Sequence, residues 1–286
     1  GVPGNAGAFG GVLASLRAKG VPPVTTTDGP SGIRLYSCCS LLPIGTLLAC
    51  TFDTALVEEV YALLGQEMRA RGSDVLLGPG MNIHRNPLCG RNFEYFSEDP
   101  YLTGKIAAAC VRGMQSAGVS ACPKHFACNN QEFRRNRNDS RVSERALREI
   151  YLKGFEICIK EASPKSIMTS YNKINGVYAH YNYNLCTTIL RGEWGYRGLV
   201  MTDWWMRPQH SPEFPQMRDN AYRVRAQVDL LMPGGSRTGK RKSDGTLLKT
   251  YGKPEGITLG EMQRSAENVL RFAMHSPAME RLKPKE

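Results

Sequence analysis

Short apolar runs alternate with segments of helical periodicity along most of the chain. Each run is short enough for a buried strand and ends in polar, Gly or Pro residues. The runs predicted to be strands are PPVTTT (22–27), DVLLGP (74–79), VSACPKH (119–125), SIMTSY (166–171), LVMTDW (199–204) and DLLMPG (229–234).

Four segments between these runs have apolar residues at spacings of three and four, which is typical of amphipathic helices. They are residues 54–71, 101–116, 142–161 and 258–273. Asp53 is a suitable N-cap for the first of them. The predicted buried stripes are Leu56, Val60, Leu63, Leu64 and Met68 in the first segment, and Leu147, Ile150, Tyr151, Phe155 and Ile159 in the third.

Strands without internal alternation, separated by helices, indicate a parallel sheet covered by helices. The number of such units favours an α/β fold of the (β/α)8 TIM-barrel type, irregular or incomplete, over a doubly wound sheet. We expect a lead-in at 1–20, the barrel at 21–275 with an inserted loop at about 235–256, and a tail at 276–286. The stretch 205–222 is also longer than a compact barrel requires.

Composition narrows the classes of function. The chain has 286 residues, 41% hydrophobic and 22% charged, which is ordinary for a globular protein. The formal net charge is +11, but the basic residues are scattered apart from RRNR (134–137) and RTGKRK (237–242), so we expect no nucleic-acid partner. No apolar run reaches membrane-spanning length, and no dinucleotide or phosphate-loop glycine motif occurs.

The nine cysteines lack metal-ligand spacing and are odd in number. We therefore predict free thiols, no metal and no cofactor. Free thiols and the lack of a visible signal segment predict a cytoplasmic protein.

Most of the predicted strands end on residues that can do chemistry. The C-terminal ends of parallel barrel strands converge on one face, where active sites are built. The strand-end residues are Asp28, Lys124, His125, Tyr171, Asp203 and Trp204. Four of them have an ordinary structural alternative: Asp28 in a turn, Lys124 and His125 in an ion pair, and Asp203 as a helix N-cap.

Asp203 is followed by Trp204 and Trp205, which are costly to expose and unusual beside a helix cap. Indole faces stack on the apolar C–H faces of sugar rings. A carboxylate beside an indole platform is suited to attack an anomeric carbon. Arg91, in an aromatic-rich loop, could bridge two hydroxyls with its planar guanidinium, or be a surface cation.

Several long motifs resemble the barrel domain of glycoside hydrolase family 3, β-glucosidase type, in the family's order over roughly residues 20–235. They are DGPSGIR (28–34), NIHRNPLCGRNFEYFSEDP (82–100), KHFACNNQE (124–132), SERALREIYLKGFE (143–156), SYNKING (170–176), GEWGYRG (192–198) and VMTDWW (200–205).

The resemblance implies a role for each matching position. Asp203 matches the catalytic nucleophile and Trp204 the platform beside it. Tyr171 would lie near the carboxylate of Asp203 and steady it. The residues implied to hold the sugar next to the cleaved bond are Asp28, Arg91, Lys124, His125, Arg135 and Tyr171.

The chain departs from the family in lacking an evident acid/base. A retaining mechanism needs a second carboxyl group about 5–5.5 Å from the first. In the β-glucosidase type it is a glutamate of a separate α/β sandwich domain, and no stretch here is long enough for one. The loop Asp-His dyad of the family's N-acetylglucosaminidases is also absent. We expect the sandwich domain elsewhere, in the same gene with inverted domain order or in another chain.

The sequence therefore predicts a retaining exo-β-glycosidase, most simply a β-glucosidase acting on β-glucosides or oligosaccharides, and a homo-oligomer. Three alternatives remain open. The first is a β-xylosidase or another β-glycosidase of the family. The second is a sugar-binding barrel without turnover. The third is an aldolase that forms a Schiff base through Lys124.

Overall fold

A computed structural model describes residues 2–207, 217, 219–233 and 246–282. Strands lie where the apolar runs predict them, but most are shorter than the runs. The strands in the described residues are β1 Gly7–Gly10, β2 Pro23–Asp28, β3 Val75–Leu77, β4 Ser120–Ala121, β5 Asp139–Ser140, β6 Ser166–Met168, β7 Lys173–Ile174, β8 Val177–Tyr178, β9 Leu199–Trp204 and β10 Leu230–Met232.

The long helices begin at residues that satisfy free backbone amides. The side chain of Asp53 accepts hydrogen bonds from two amides of α3, and Thr258 forms a capping box with Glu261 at α9. The helices in the same residues are α1 Ala14–Arg17, α2 Gly45–Ala49, α3 Thr54–Ala70, α4 Pro100–Ser116, α5 Glu144–Ala146, α6 Lys153–Ala162, α7 Asp219–Arg225, α8 Thr246–Thr250, α9 Leu259–Met274 and α10 Pro277–Leu282.

The strands form an irregular parallel barrel, as predicted. Strands β2, β3 and β4 pair in parallel, and so do β6, β9 and β10. Single bridges from Gly80 to Lys124 and from Phe126 to Thr169 connect the two groups. The barrel interior is filled by buried apolar side chains from successive strands, namely Phe9, Val24, Val75, Leu77, Cys122, Met168, Met201 and Met232.

A second core lies between the barrel and helices α3, α4 and α6. Helices α3 and α4 approach closely at Gly113, where a Cβ atom would lie 2.2 Å from the carbonyl oxygen of Glu58. Glycine is therefore required at that contact.

The buried stripes of two helices differ from the predicted ones. In α3, Leu56 and Leu63 are exposed, because the buried face is formed by Val57, Tyr61, Leu64, Gly65 and Met68. In the segment 142–161, Ile150 is exposed because residues Leu147–Tyr151 form a π-helical turn between α5 and α6. The wider turn breaks the regular helical phase that the prediction assumed.

The structure also differs at the predicted boundaries. Strand β1 lies within the expected lead-in and pairs antiparallel with β2, and α10 lies within the expected tail. Within the expected loop at about 235–256, residues 246–250 form α8. Within and beside the two predicted long loops, residues 208–216, 218 and 234–245 lie outside the described residues. In the part of the chain that is described, no helix has the length and apolarity needed to cross a membrane.

Candidate active site

The ends of the parallel strands surround a cavity of about 300 Å³. All eight residues predicted for the site line it: Asp28, Arg91, Lys124, His125, Arg135, Tyr171, Asp203 and Trp204. Strands β2, β3, β6 and β9 and the extension of β4 therefore deliver their terminal side chains to the same face, while loop residues complete the wall. The lining also includes Arg34, which the prediction missed.

Asp203 lies near the end of β9 with a buried side chain. One carboxylate oxygen, Oδ1, accepts a hydrogen bond of 2.7 Å from the amide of Trp204. The other, Oδ2, is buried and has no hydrogen-bond partner among the described residues. The strand continues through Trp204 and no helix begins by residue 207, so Asp203 does not cap an adjoining helix.

The environment of Asp203 contains opposing electrostatic effects. Burial raises the pKa of its carboxyl group, while the Trp204 amide and the charges of Lys124, Arg91 and Arg135 lower it; burial is the larger effect. The cations therefore reduce the cost of keeping a buried carboxylate ionised. An ionised, partly unsatisfied oxygen is the form of Asp203 that can act as a nucleophile.

Lys124 and Arg34 hold Asp28 from two sides. The Lys124 ammonium lies 3.3 Å from Oδ1 of Asp28, and the Arg34 guanidinium donates to Oδ2 at 2.8 Å. Burial raises the pKa of Asp28, but the two cations outweigh it and the net pKa is lowered. Asp28 is thus a hydrogen-bond acceptor rather than an acid. The ion pair with Asp28 stabilises the charged form of Lys124, which disfavours the aldolase alternative because a Schiff base forms from a neutral amine.

Arg34 could have been found from the turn chemistry of its motif. The Arg34 amide donates to the carbonyl of Asp28 at 2.9 Å, which closes the turn and returns the arginine to the aspartate. Asp-Gly-Pro is a strong turn signal, so a cation shortly after it is a candidate partner for the carboxylate.

His125 is buried beside Asp203, with its Nε2 atom 3.7 Å from Oδ2. Burial lowers its pKa well below the ordinary value, and the charges of Arg91, Lys124 and Arg135 lower it further. The imidazole is therefore neutral. The structural alternative of an ion pair is disfavoured for His125, because burial and the neighbouring cations favour the neutral imidazole.

Two glutamates, which the prediction also missed, orient the arginines. Arg91 donates to Glu94 at 2.6 Å, and Arg135 donates to Glu132 at 2.8 Å. In each pair the two residues are three positions apart in the sequence, and that spacing is the signal that could have identified them. The Arg135 guanidinium also lies 4.4 Å from the centre of the Tyr171 ring.

Tyr171 contacts the backbone beside the predicted nucleophile. Its hydroxyl donates to the carbonyl of Trp204 at 2.7 Å, and burial and the negative charge of Asp203 raise its pKa. Trp204 is buried, whereas Trp205 is 62% exposed at the rim. The two indoles therefore differ: Trp204 packs into the barrel wall, and Trp205 faces the entrance.

Among the described residues that line the cavity, the carboxylates are Asp28 and Asp203. Lys124 and Arg34 lower the pKa of Asp28, whereas burial outweighs the nearby cations at Asp203. No group of three or more His, Cys, Asp or Glu side chains in the described part of the chain could hold a metal ion. The nine cysteines are free thiols.

Comparison with known proteins identifies the family. The model of the glycosyl hydrolase family 3 N-terminal domain matches residues 12–271. The chain belongs to glycosyl hydrolase family 3, and its irregular α/β barrel is the N-terminal domain of that family.

Relatives of known name support the same conclusion. The chain is 49% identical to a β-glucosidase of Ruminococcus albus over 98% of its own length and 29% of the relative's. It is 49% identical to thermostable β-glucosidase B of Acetivibrio thermocellus over 88% of its length and 33% of the relative's.

Solved structures agree in fold. A β-glucosidase from Paenibacillus barengoltzii is 51% identical, with a TM-score of 0.90, over 99% of this chain and 31% of that one. β-Glucosidase 3B from Thermotoga neapolitana, solved in complex with glucose, is 40% identical with a TM-score of 0.86, over 99% and 40% of the two chains. The chain thus spans about a third of the length of these relatives.

Proposed function

We propose that this chain is the nucleophile-bearing barrel of a retaining β-glucosidase. Asp203 attacks the anomeric carbon of a terminal β-glucosyl residue and forms a glycosyl-enzyme, which water then hydrolyses. The observation that carries the proposal is the buried Oδ2 of Asp203, which has no partner among the described residues and lies within a ring of cations. The names of the relatives favour glucose over xylose.

The other side chains of the cavity hold the sugar. Asp28 is an ionised acceptor for hydroxyl groups, and Lys124, Arg91 and Arg135 are donors whose positions are fixed by carboxylate partners. Donors held in place before the substrate arrives stabilise developing charge without further reorganisation. Trp204 forms part of the wall beside the nucleophile.

We propose that the acid/base comes from a part of the enzyme outside this chain. Support comes from the roles of Asp28 and Asp203, which leave the described lining of the cavity without a proton donor for the leaving oxygen. The relatives are about three times as long as the chain, which leaves room for a further domain. A glutamate about 5–5.5 Å from Asp203 would complete the retaining pair.

The test is Asp203→Ala in the complete enzyme, assayed with an aryl β-glucoside. We expect kcat to fall by at least about a thousandfold, because no other group can form the covalent intermediate. Added azide should restore turnover by displacing the phenolate from C1 and forming an α-glucosyl azide. Asp53→Ala, which removes a helix cap far from the cavity, is the control and should keep its activity. Near-normal hydrolysis by the Asp203→Ala variant would contradict the proposal.

A further inference from the structure

A hydrogen-bond network lies on the side of His125 that faces away from the cavity. The Tyr95 hydroxyl lies 3.3 Å from Nδ1 of His125, and the Asn129 side-chain amide donates to the Tyr95 hydroxyl at 3.1 Å. The same amide donates to Glu132 at 3.2 Å, and Glu132 also holds Arg135. Tyr95, His125 and Asn129 are each at most 1% exposed. This buried hydrogen-bond network therefore connects His125 with Glu132 and Arg135 on another wall of the site.

The donors and acceptors in this network can be assigned starting from its end at Glu132. The Asn129 side-chain amide donates one hydrogen to a carboxylate oxygen of Glu132 and the second to the Tyr95 oxygen. Burial raises the pKa of Tyr95 well above its ordinary value, so the hydroxyl keeps its own hydrogen. That hydrogen has two acceptors within reach: Nδ1 of His125 at 3.3 Å and the Asn129 carbonyl at 3.5 Å.

The opposite side of the imidazole favours Nδ1 as the acceptor of the Tyr95 hydrogen. Nε2 of His125 lies 3.7 Å from the carboxylate oxygen Oδ2 of Asp203. A neutral imidazole has one N–H and one lone pair. An N–H on Nε2 faces the carboxylate favourably, whereas a lone pair there would face another electron-rich atom. Nδ1 is then the acceptor, and the Tyr95 hydroxyl donates to it.

We propose that Tyr95, oriented by Asn129, is a positioning residue that fixes His125 in the tautomer carrying its proton on Nε2. His125 then presents a donor to the cavity and no acceptor. If the proposed function is correct, His125 donates to Asp203 or to a sugar hydroxyl and does not take a proton from either.

The surrounding structure holds this arrangement in place. The backbone of His125 exchanges two hydrogen bonds of 2.9 Å with the Asn82 side chain, which sets the orientation of the residue. The Tyr95 ring packs against Gly80, where a Cβ atom would lie 3.1 Å from two ring carbons. The ring therefore has little freedom to turn its hydroxyl away from Nδ1.

The tautomer can be measured without any assay of activity. The protein would be expressed with ¹⁵N-labelled histidine, and the chemical shifts of Nδ1 and Nε2 of His125 would be measured by NMR. A His125→Gln variant identifies the signals that belong to this residue. The expected spectrum has a protonated Nε2 and an unprotonated, hydrogen-bonded Nδ1. In Tyr95→Phe, which keeps the ring and removes the hydroxyl, the two nitrogens should move toward the averaged shifts of a tautomer mixture.

Kinetics of the complete enzyme provide the second readout. Tyr95→Phe should lower kcat/KM by about threefold to tenfold, as expected when one buried hydrogen bond no longer selects the competent state. Tyr196→Phe is the matched control, because Tyr196 is also buried and its hydroxyl donates to Leu199 at the opposite end of the barrel. It should leave the His125 signals unchanged.

Two results would overturn the proposal: a proton on Nδ1 in the wild-type protein, or a Tyr95→Phe variant with an unchanged spectrum. The first needs no variant, so it stands even if the substituted protein folds poorly. If the complete enzyme has no β-glucosidase activity but both NMR results are as expected, the proposed function is wrong and the tautomer assignment still holds.

Discussion

At the scale of single residues, the site is governed by a balance between burial and positive charge. Burial raises the pKa of Asp203, and three cations and a backbone amide oppose it. The same cations and the same burial both lower the pKa of His125. One set of positive charges therefore favours an ionised aspartate and a neutral histidine side by side, without an ion pair between them.

Lys124 provides a direct test of this balance. Its charge lowers the pKa of Asp203, so Lys124→Met should raise that pKa. Because the nucleophile must be ionised, the acidic limb of the pH profile of kcat/KM should move to higher pH in the complete enzyme. Activity would then be lost sooner as the pH falls.

The control for this experiment is Lys105→Met, which removes the same charge from the surface, where Lys105 pairs with Glu161. It should leave the acidic limb in place. If the acidic limb of the pH profile is unchanged in Lys124→Met, the charge of Lys124 does not lower the pKa of Asp203. Overall kcat/KM should also fall in Lys124→Met, but only the pH profile separates charge from contact.

At the scale of elements, the two ends of the barrel strands have different tasks. The C-terminal ends carry the site residues. At the N-terminal end, Asp74 precedes β3 and is fully buried, where it accepts from the amide and hydroxyl of Thr25 at 2.8 and 2.9 Å. Arg281 on α10 donates to both of its carboxylate oxygens, at 2.7 and 2.8 Å. The terminal helix is therefore anchored to the end of the barrel opposite the site.

Helix α10 carries two ion pairs at adjacent positions, one with a buried carboxylate and one between two exposed side chains. Arg281→Met leaves the buried Asp74 carboxylate without its cation and should lower the free energy of unfolding by about 1–3 kcal/mol, since Arg281 itself is partly solvated. Glu280→Gln breaks the pair between Glu280 and Arg69, both exposed, and should cost at most about 0.5 kcal/mol. Urea denaturation of the two variants measures both values. Equal losses would show that the buried pair does not anchor the helix.

At the scale of the whole molecule, our proposal gives the chain a nucleophile and a sugar-holding wall but no acid/base of its own. An aryl β-glucoside with a good leaving group needs little protonation in the first step. The chain alone should therefore release a burst of about one equivalent of phenol and then stall, because deglycosylation needs a general base. Stopped-flow absorbance measures the burst.

The Asp203→Ala chain is the matched control and should give no burst. Mass spectrometry should find one glucosyl group on the stalled wild-type chain, in the peptide that contains Asp203. Continuous turnover at the rate of the complete enzyme would contradict the proposal, since the acid/base would then have to lie within the chain.

The sequence determined the parts of this protein that depend on local pattern. Apolar runs predicted the barrel strands, and helical spacing predicted α3, α4 and α9, because both signals arise from near neighbours. The positions of residues at strand ends, together with the family resemblance, predicted the eight residues that line one cavity. The cap at Asp53 was predicted correctly for the same local reason.

Other features were decided by tertiary structure. The π-helical turn at Leu147–Tyr151 broke the phase of a predicted stripe, and β1 joined the barrel from residues with no strand signal. The charge state of His125 and the partners Arg34, Glu94, Glu132 and Tyr95 likewise depend on groups from separate loops meeting in a dry space. Burial and Coulomb interactions act through distance in space, which the order of residues along a chain does not specify.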